Sequence, residues 1–357
     1  MENPLFYRNK AQYPVGIDKD GSPKIGVFAN RTHEIIPIQE CLIQNKLSQN
    51  LAKFVLEWIR KNNISIYNET NGKGLIRHIV TKIGIKTNEI MLILVINGNE
   101  IPNESNLVKE VLENFKEVKT IVKNINKKNT NVIMGKQNIN LYGNGYIEDI
   151  LGEYRFKISP LSFYQVNPVQ AEKLYNTGVE SAKINKDDIV FDLYCGIGTI
   201  SLFMAKYAKK VYGIEIVEDA IKDAKENAKI NNISNVEFIA GDVEVILDKL
   251  INKDNIIPNV VMVDPPRKGL DKKSIENIKK IKPKKLVYIS CNPATLVRDL
   301  SYLEEIYDIK KVKPVDMFPF SKHVEVCALL ELKNCRPLLN LLVVKIQLCF
   351  IKEVDLD

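Results

Sequence analysis

The chain has few of the residue pairings that a disulfide framework or a metal centre needs. Its six cysteines are scattered over 357 residues, at 41, 195, 291, 327, 335 and 349, and show no paired spacing of the metal-binding or redox type. That excludes a cysteine-stapled scaffold and points to a reduced, cytoplasmic setting. No secretory leader pattern stands at the N-terminus. The longest apolar run, LLNLLVVKIQLCFI at 338–351, is broken by Asn340, Lys345 and Gln347. It falls short of the roughly 20 residues that a bilayer span requires, so no membrane partner is expected. Solenoid-type repeats are also missing. Charge of one sign is only mildly in excess, with 51 basic against 44 acidic residues and a net +7. The excess suits a polyanionic partner and equally describes a lysine-rich solvated surface.

What the chain does have is a rhythm. From about residue 185, IVFDLY (189–194), KVYGIE (210–215), VEFIA (236–240), NVVMVD (259–264) and LVYIS (286–290) read as strands. The stretches SLFMAKYA, EDAIKDAKENAKINN and SIENIKKI between them carry apolar residues at helical spacing. This alternation predicts an α/β fold, a Rossmann-like parallel sheet covered on both faces. Runs at 309–317 and 324–331 would close the sheet as a hairpin. The first 150 residues differ, with extended segments at 24–30 and 89–97 separated by DKDGS, NGKG and NGNE turns. Helices are expected at 42–61, which holds the only Trp, and at 106–116, giving an N-terminal α+β domain. KNINKKNTN at 123–131 reads as an exposed loop. With the junction between 150 and 168, the expected division is 1–155, 156–332 and a tail, 333–357, of unassigned role.

In an open α/β sheet, ligands sit beyond the carboxyl ends of the strands, where the strand order reverses. The loop in FDLYCGIGT meets that requirement, and Gly196 and Gly198 would let a ligand approach the backbone. An isolated G-x-G equally describes a tight turn. Glu215 ends the second strand 23 residues after Asp192, where a carboxylate can accept from both ribose hydroxyls. A nicotinamide enzyme would use the same carboxylate but would usually carry a third glycine, where this chain has Ser201. S-adenosylmethionine therefore fits the loop better than a dinucleotide. Asp242 either accepts from the adenine amino group or caps the next helix. Asp264 ends the fourth strand before two prolines that expose the site. The next residue is Arg267, not the stacking aromatic of amine methylases, and it is left to pair with a phosphate or a carboxylate.

LVYISCNPATLVR at 286–298 sets Cys291 between a strand end and Asn-Pro, a position that favours a nucleophile over the buried core thiol that a lone cysteine usually is. These segments together resemble an enzyme that methylates carbon 5 of a pyrimidine, and carbon 5 of uracil is too weakly nucleophilic to attack a methyl sulfonium unaided. A thiolate that adds to carbon 6 makes carbon 5 an enolate carbon, and a base must afterwards remove the carbon 5 proton. Glu325, in HVEVC at 323–327, is the candidate base. Cys195 is a rival thiol inside the cofactor loop and is expected to pack there. Cys327, Cys335 and Cys349 are expected to be structural.

SFYQVNP, DLYCGIGT, GIE, VDPPRKGL, SCNPATLVRDL and HVE occur in that order, and together they resemble the bacterial RNA (uracil-5-)-methyltransferases, particularly the branch acting on 23S ribosomal RNA. The resemblance covers about 1–332. It implies that Cys291 is the nucleophile, that Glu325 is the base, and that Gln165, Tyr194, Glu215, Asp242 and Asp264 contact S-adenosylmethionine or line its pocket. Without it, Gln165 reads as a loop amide and Tyr194 as a core strand residue. YRNKAQYPV at 7–15 is similar to the family's central domain, which helps to hold RNA. Members of the ribosomal branch commonly carry an N-terminal barrel and three clustered cysteines that join a fourth around a 4Fe-4S cluster. Only Cys41 is similar to one of those ligands, so the cluster is not expected and no metal site is assigned. A naturally shortened form and a true start further upstream both remain open. So do two other readings: the transfer RNA branch, whose members are short, and a catalytically impaired fragment that still binds RNA.

The target base must be turned out of its stack to reach the site. Phe163, Tyr164 and Phe320 are candidate stacking residues, with a core role as the alternative for each. Arg8, Lys10 and Arg77 are candidate phosphate contacts, with solvated surface charge as theirs.

Overall fold

A computed structural model describes residues 1–333; the expected tail beyond it, with Cys335 and Cys349, lies outside the described residues. The N-terminal half builds a seven-stranded sheet from β1 (Lys10–Ile17), β2 (Pro23–Phe28), β3 (Ile35–Pro37), β4 (Ile76–Ile83), β5 (Ile90–Ile96), β6 (Val118–Ile125) and β7 (Gln137–Tyr142), in the order β3-β2-β1-β4-β5-β6-β7. Two helices, α1 (Lys46–Lys61) and α2 (Glu104–Asn114), cover one face. β5, IMLILVI, is buried throughout. Because successive side chains point to opposite faces, Ile90, Leu92, Leu94 and Ile96 pack with the α1 residues Leu51, Val55 and Ile59, while Met91, Ile93 and Val95 join a second core shared with the C-terminal half.

Next come a hairpin, β8 (Ile147–Leu151) and β9 (Tyr154–Ile158), and the helix α3 (Pro168–Ala182). The second sheet is made of β10 (Ile189–Leu193), β11 (Lys210–Glu215), β12 (Val236–Ala240), β13 (Val260–Val263), β14 (Lys285–Ser290), β15 (Tyr307–Val315) and β16 (Glu325–Leu332). Its order is β12-β11-β10-β13-β14-β16-β15, with β10 to β14 parallel and β16 antiparallel to both its neighbours. The intervening helices are α4 (Thr199–Ala205), α5 (Glu218–Ile230), α6 (Val243–Asp248), α7 (Lys272–Ile281) and α8 (Pro293–Leu303). This is the expected α/β architecture, closed by the expected hairpin, and the strand order reverses between β10 and β13.

A strap of chain, 159–167, joins the halves. Lys82 Nζ donates to the Ser159 and Ser162 carbonyls at 2.8 Å each, and Asn9 holds the Gln165 and Val166 carbonyls. From the other side, Asp223 of α5 accepts from the Ser159 and Ser162 hydroxyls at 2.9 and 2.5 Å. The strap is thus gripped by an amine donor from one half and a carboxylate acceptor from the other.

Two expectations fail, both for polar residues. The segment 123–131 is not wholly an exposed loop, since Lys123 and Asn124 lie buried at the end of β6. Lys123 pairs with Glu104 at 2.7 Å, and the Asn124 amide donates to the Gly135 carbonyl and accepts from its N–H. Arg77 is not solvated either. It is 3 % exposed, lies over the Tyr67 ring and pairs with Glu69. A buried charge is tolerated when it is paired, and such a partner is not revealed by composition. Among the described residues no helix is long and apolar enough to cross a membrane, and no group of three or more His, Cys, Asp or Glu side chains is placed to hold a metal ion.

Candidate active site

β10 stops at Leu193, one residue earlier than its apolar run suggests, so Tyr194 is a loop residue rather than part of the strand core. Tyr194, Gly196 and Gly198 all have positive φ (69°, 53° and 82°), which folds the loop back over the strand ends. The Tyr194 and Cys195 amides both donate to the Ile214 carbonyl of β11. A Cβ added at Gly196 would meet nothing within 4 Å, whereas one at Gly198 would run into Phe238 at 2.6 Å. The first glycine leaves the backbone open to a ligand, and the second permits close packing behind it. The Tyr194 hydroxyl lies 3.3 Å from Ser274 Oγ.

Glu215 holds this loop at the end of β11, accepting from the Gly196 amide at 3.2 Å and the Val217 amide at 3.0 Å. Carboxylate oxygens have further lone pairs for a ribose diol. Asp242 accepts from the Glu244 amide at 2.9 Å and caps α6. One oxygen suffices for that cap, so the two sequence readings of Asp242 are compatible. Beneath the loop, Asp192 is fully buried, with Oδ2 accepting from Ser201 and Oδ1 unpartnered. Burial raises its pKa to about 7. Open glycine backbone, carboxylates at successive strand ends and an unsatisfied buried oxygen together fit a cofactor that carries an amine, a diol and a purine. Gln165 is buried in the strap, its carbonyl held by Asn9.

The catalytic candidates meet on the other side of the reversal point. β14 and β16 pair in antiparallel register up to Ser290 and Val326, and one residue further on stand Cys291 and Glu325. Cys291 is half-buried, just ahead of Asn292, which caps α8 through the Ala294 amide with Pro293 in the first turn. Burial, followed by the Glu325 and Asp264 carboxylates, pushes the Cys291 thiol above its ordinary range, and Arg267 works against them. Glu325 is 3 % exposed, and burial with Asp264 nearby raises it to about 8. Asp264 itself is pushed up to about 7 by burial. Carboxyls displaced by burial cluster at functional clefts.

Several supporting residues carried no sequence signal. Asn292 and Thr295 donate to the Arg267 carbonyl at 3.2 and 3.3 Å and hold the Pro-Pro loop against the cysteine turn. Asp299, fully buried, accepts from Tyr288 and from the Leu270 amide and fixes the far end of that loop. Asn167 and Gln170 donate to the Met317 and Asp316 carbonyls, anchoring the segment that leads to Glu325. Of the aromatic candidates, Tyr164 is core, whereas Phe163 and Phe320 are 67 % and 73 % exposed, beyond what packing explains. Cys195 and Cys327 are buried, as expected.

Residues 7–333 match the family described as tRNA (Uracil-5-)-methyltransferase. Among curated proteins, an RNA methyltransferase of Clostridium acetobutylicum is 48% identical over 93% of this chain and 72% of its own length. Another, from Caldanaerobacter subterraneus subsp. tengcongensis, is 49% identical over 93% of this chain and 73% of its own length. Among solved structures, the Pyrococcus abyssi tRNA (uracil-54, C5)-methyltransferase in complex with S-adenosyl-L-homocysteine superposes with a TM-score of 0.74 at 29% identity, covering 92% of this chain and 76% of that one. The glycine loop, its carboxylates and this family match agree, and the chain belongs to the S-adenosylmethionine-dependent RNA (uracil-5-)-methyltransferases.

Proposed function

We propose that this enzyme methylates carbon 5 of a uridine in 23S ribosomal RNA through a covalent adduct between Cys291 and carbon 6 of the base. The observation that carries the mechanism is the adjacency of Cys291 and Glu325 at the ends of β14 and β16, with Asp264 and Arg267 close enough to shift both. The Cys291 thiolate adds to carbon 6, and the electron pair of the 5,6 double bond moves toward carbon 5 and the carbon 4 carbonyl. Carbon 5 then takes a methyl group. When bound, S-adenosylmethionine supplies that group as an electrophilic methyl on a sulfonium. Glu325 removes the proton left on carbon 5, the double bond reforms and the sulfur leaves carbon 6 with its electron pair. A carboxylate with a pKa near 8 is a stronger base than an ordinary one, which suits this step. Arg267 favours the thiolate by its positive charge.

In this reading Gln165, Tyr194, Glu215, Asp242 and Asp264 hold the cofactor or line its pocket. Residues 1–155 act as an RNA-contacting domain and 156–332 as the methyltransferase domain. Motif wording supports the ribosomal substrate. A transfer RNA substrate is the second reading, favoured by the likeness to the Pyrococcus abyssi tRNA enzyme. RNA carrying 5-fluorouridine, which has no removable proton at carbon 5, tests both points. Incubated with the chain and S-adenosylmethionine, one RNA class should give a denaturation-resistant adduct that peptide mass spectrometry assigns to Cys291. Methylation of ordinary RNA with no cysteine adduct on its 5-fluorouridine counterpart would exclude the mechanism, and an adduct with transfer RNA alone would exclude the ribosomal assignment.

A further inference from the structure

The N-terminal sheet carries a groove that the methyl-transfer site does not use. It is a cleft of about 420 Å³ between the β2–β3 turn and residues 130–133, lined in part by Phe28, Arg31, His33, Arg77, His78 and Val132. His78 is only 3 % exposed, and neither of its ring nitrogens has a hydrogen-bond partner. Burial lowers its pKa to about 4, so at neutral pH the ring is uncharged and offers one N–H donor and one acceptor. Arg77 spends its Nη atoms on Glu69 and on the Asn126 and Lys128 carbonyls, yet its Nε is unpartnered as well. Buried polar groups in native proteins are nearly always satisfied, and three unsatisfied nitrogens around one cleft point to a partner that arrives from outside.

The chemistry of that partner can be narrowed. Phe28 stands edge-on to His33 and His78, with ring centroids 6.3 and 6.2 Å away, and keeps 38 % of its surface exposed. Arg31, at the rim, is exposed, while the acidic wall residue Glu69 is already paired with Arg77. A flat apolar group with donors and acceptors along its edge and a negative charge attached satisfies all of these features. An apolar peptide side chain would leave the nitrogens unpaired.

We propose that this groove holds one unstacked nucleotide of the RNA substrate, separate from the uridine that is methylated, with its base against Phe28 and His78 and its phosphate toward Arg31. The proposal rests on RNA being the substrate and is independent of the covalent mechanism and of the ribosomal assignment. Base edges all offer donors and acceptors, so His78 anchors a nucleotide without choosing among the four.

The test measures fluorescence anisotropy of a labelled, mixed-sequence, 12-nucleotide single-stranded RNA with the full chain, together with ultraviolet crosslinking. Loss of one stacked base should weaken binding by about tenfold or more in Phe28→Ala. His78→Phe should weaken binding likewise while its thermal midpoint holds or rises, because the change removes two unpaired nitrogens. Crosslinks should map to the peptide containing residues 28–33. Wild-type RNA affinity in folded Phe28→Ala and His78→Phe chains would overturn the proposal. So would crosslinks confined to the C-terminal half, or a His78→Phe chain that loses stability but not affinity. If His78→Phe does not fold, Phe28→Ala and Arg31→Ala decide alone, and unchanged affinity in both overturns it.

Discussion

Cys291 and Glu325 face each other one step past the last paired residues of two antiparallel strands, Ser290 and Val326. The proposed nucleophile and base thus stand at the end of one shared strand register. On the proposed mechanism their losses separate. Cys291→Ala abolishes both adduct and product, a loss of at least a thousandfold in turnover. Glu325→Gln still forms a methylated RNA–protein adduct but releases it slowly. Gel shifts under denaturing conditions and methyl incorporation distinguish the two; normal turnover in Glu325→Gln would remove its role as base.

The pH dependence follows from the same pair. On the proposed mechanism Glu325 must be ionised to take the carbon 5 proton, and its pKa near 8 means that only a minor fraction is ionised at neutral pH. The Cys291 thiol, also raised, must be ionised to attack. Both requirements give a rate that climbs from pH 6 through about 8, measured by single-turnover methylation. A rate flat across that range would contradict the assignment.

Stability should run the opposite way. Asp192 and Asp264 rise from 3.8 to about 7, and Glu325 from 4.5 to about 8, on folding. The folded state then binds protons more tightly, so the stabilising contribution of these groups is full below about pH 4 and is lost as pH rises toward 8. Asp271, held below the ordinary range, acts in the other direction and at lower pH. Asp264→Asn should therefore flatten the decline and raise the thermal midpoint at pH 8, while weakening S-adenosylmethionine binding. A steeper decline in that variant would refute the linkage.

Glu215→Ala removes the acceptor for the Gly196 amide as well as the proposed diol contact. Hydrogen bonds to charged groups contribute about 1.5–3 kcal/mol, so calorimetry should find S-adenosylmethionine affinity reduced by about ten- to a hundredfold with RNA binding intact. An unchanged affinity would remove Glu215 from the cofactor site.

Lys82→Met leaves two buried strap carbonyls without their donor, though the volume is nearly conserved. The expected cost is about 2–4 kcal/mol of stability, seen as a lower urea midpoint. Stability equal to wild type would mean that the strap is held by packing alone.

Periodicity located the catalytic half of the fold well. The five parallel strands lie within one residue of their apolar runs, because buried strands must be continuous and β-branched. The glycine loop was legible for the same local reason. The pairing of Cys291 with Glu325 was not, since it depends on the β14–β16 register, a long-range contact that neither segment encodes alone. Buried polar residues were the least legible. Asn124 and Arg77 look like surface residues in the sequence, and only their partners, from 8 residues away (Glu69 on Arg77) to 51 (the Lys128 carbonyl), make burial tolerable. The anchors Asp299, Asn292 and Thr295 act on backbone atoms of another loop, which no motif spells out.

The strap has a consequence for how substrate must behave. Domains joined by thin, polar interfaces usually rock against one another, but here one apolar core runs from Val80, Ile93 and Val122 of the first sheet into Ala171 and Leu174 of α3, and the strap is bolted to both sides of it. A shared core of this kind predicts little rocking between the halves. On the proposed function, adjustment is then expected to fall to the RNA, whose flexibility near the target would set how readily it is modified.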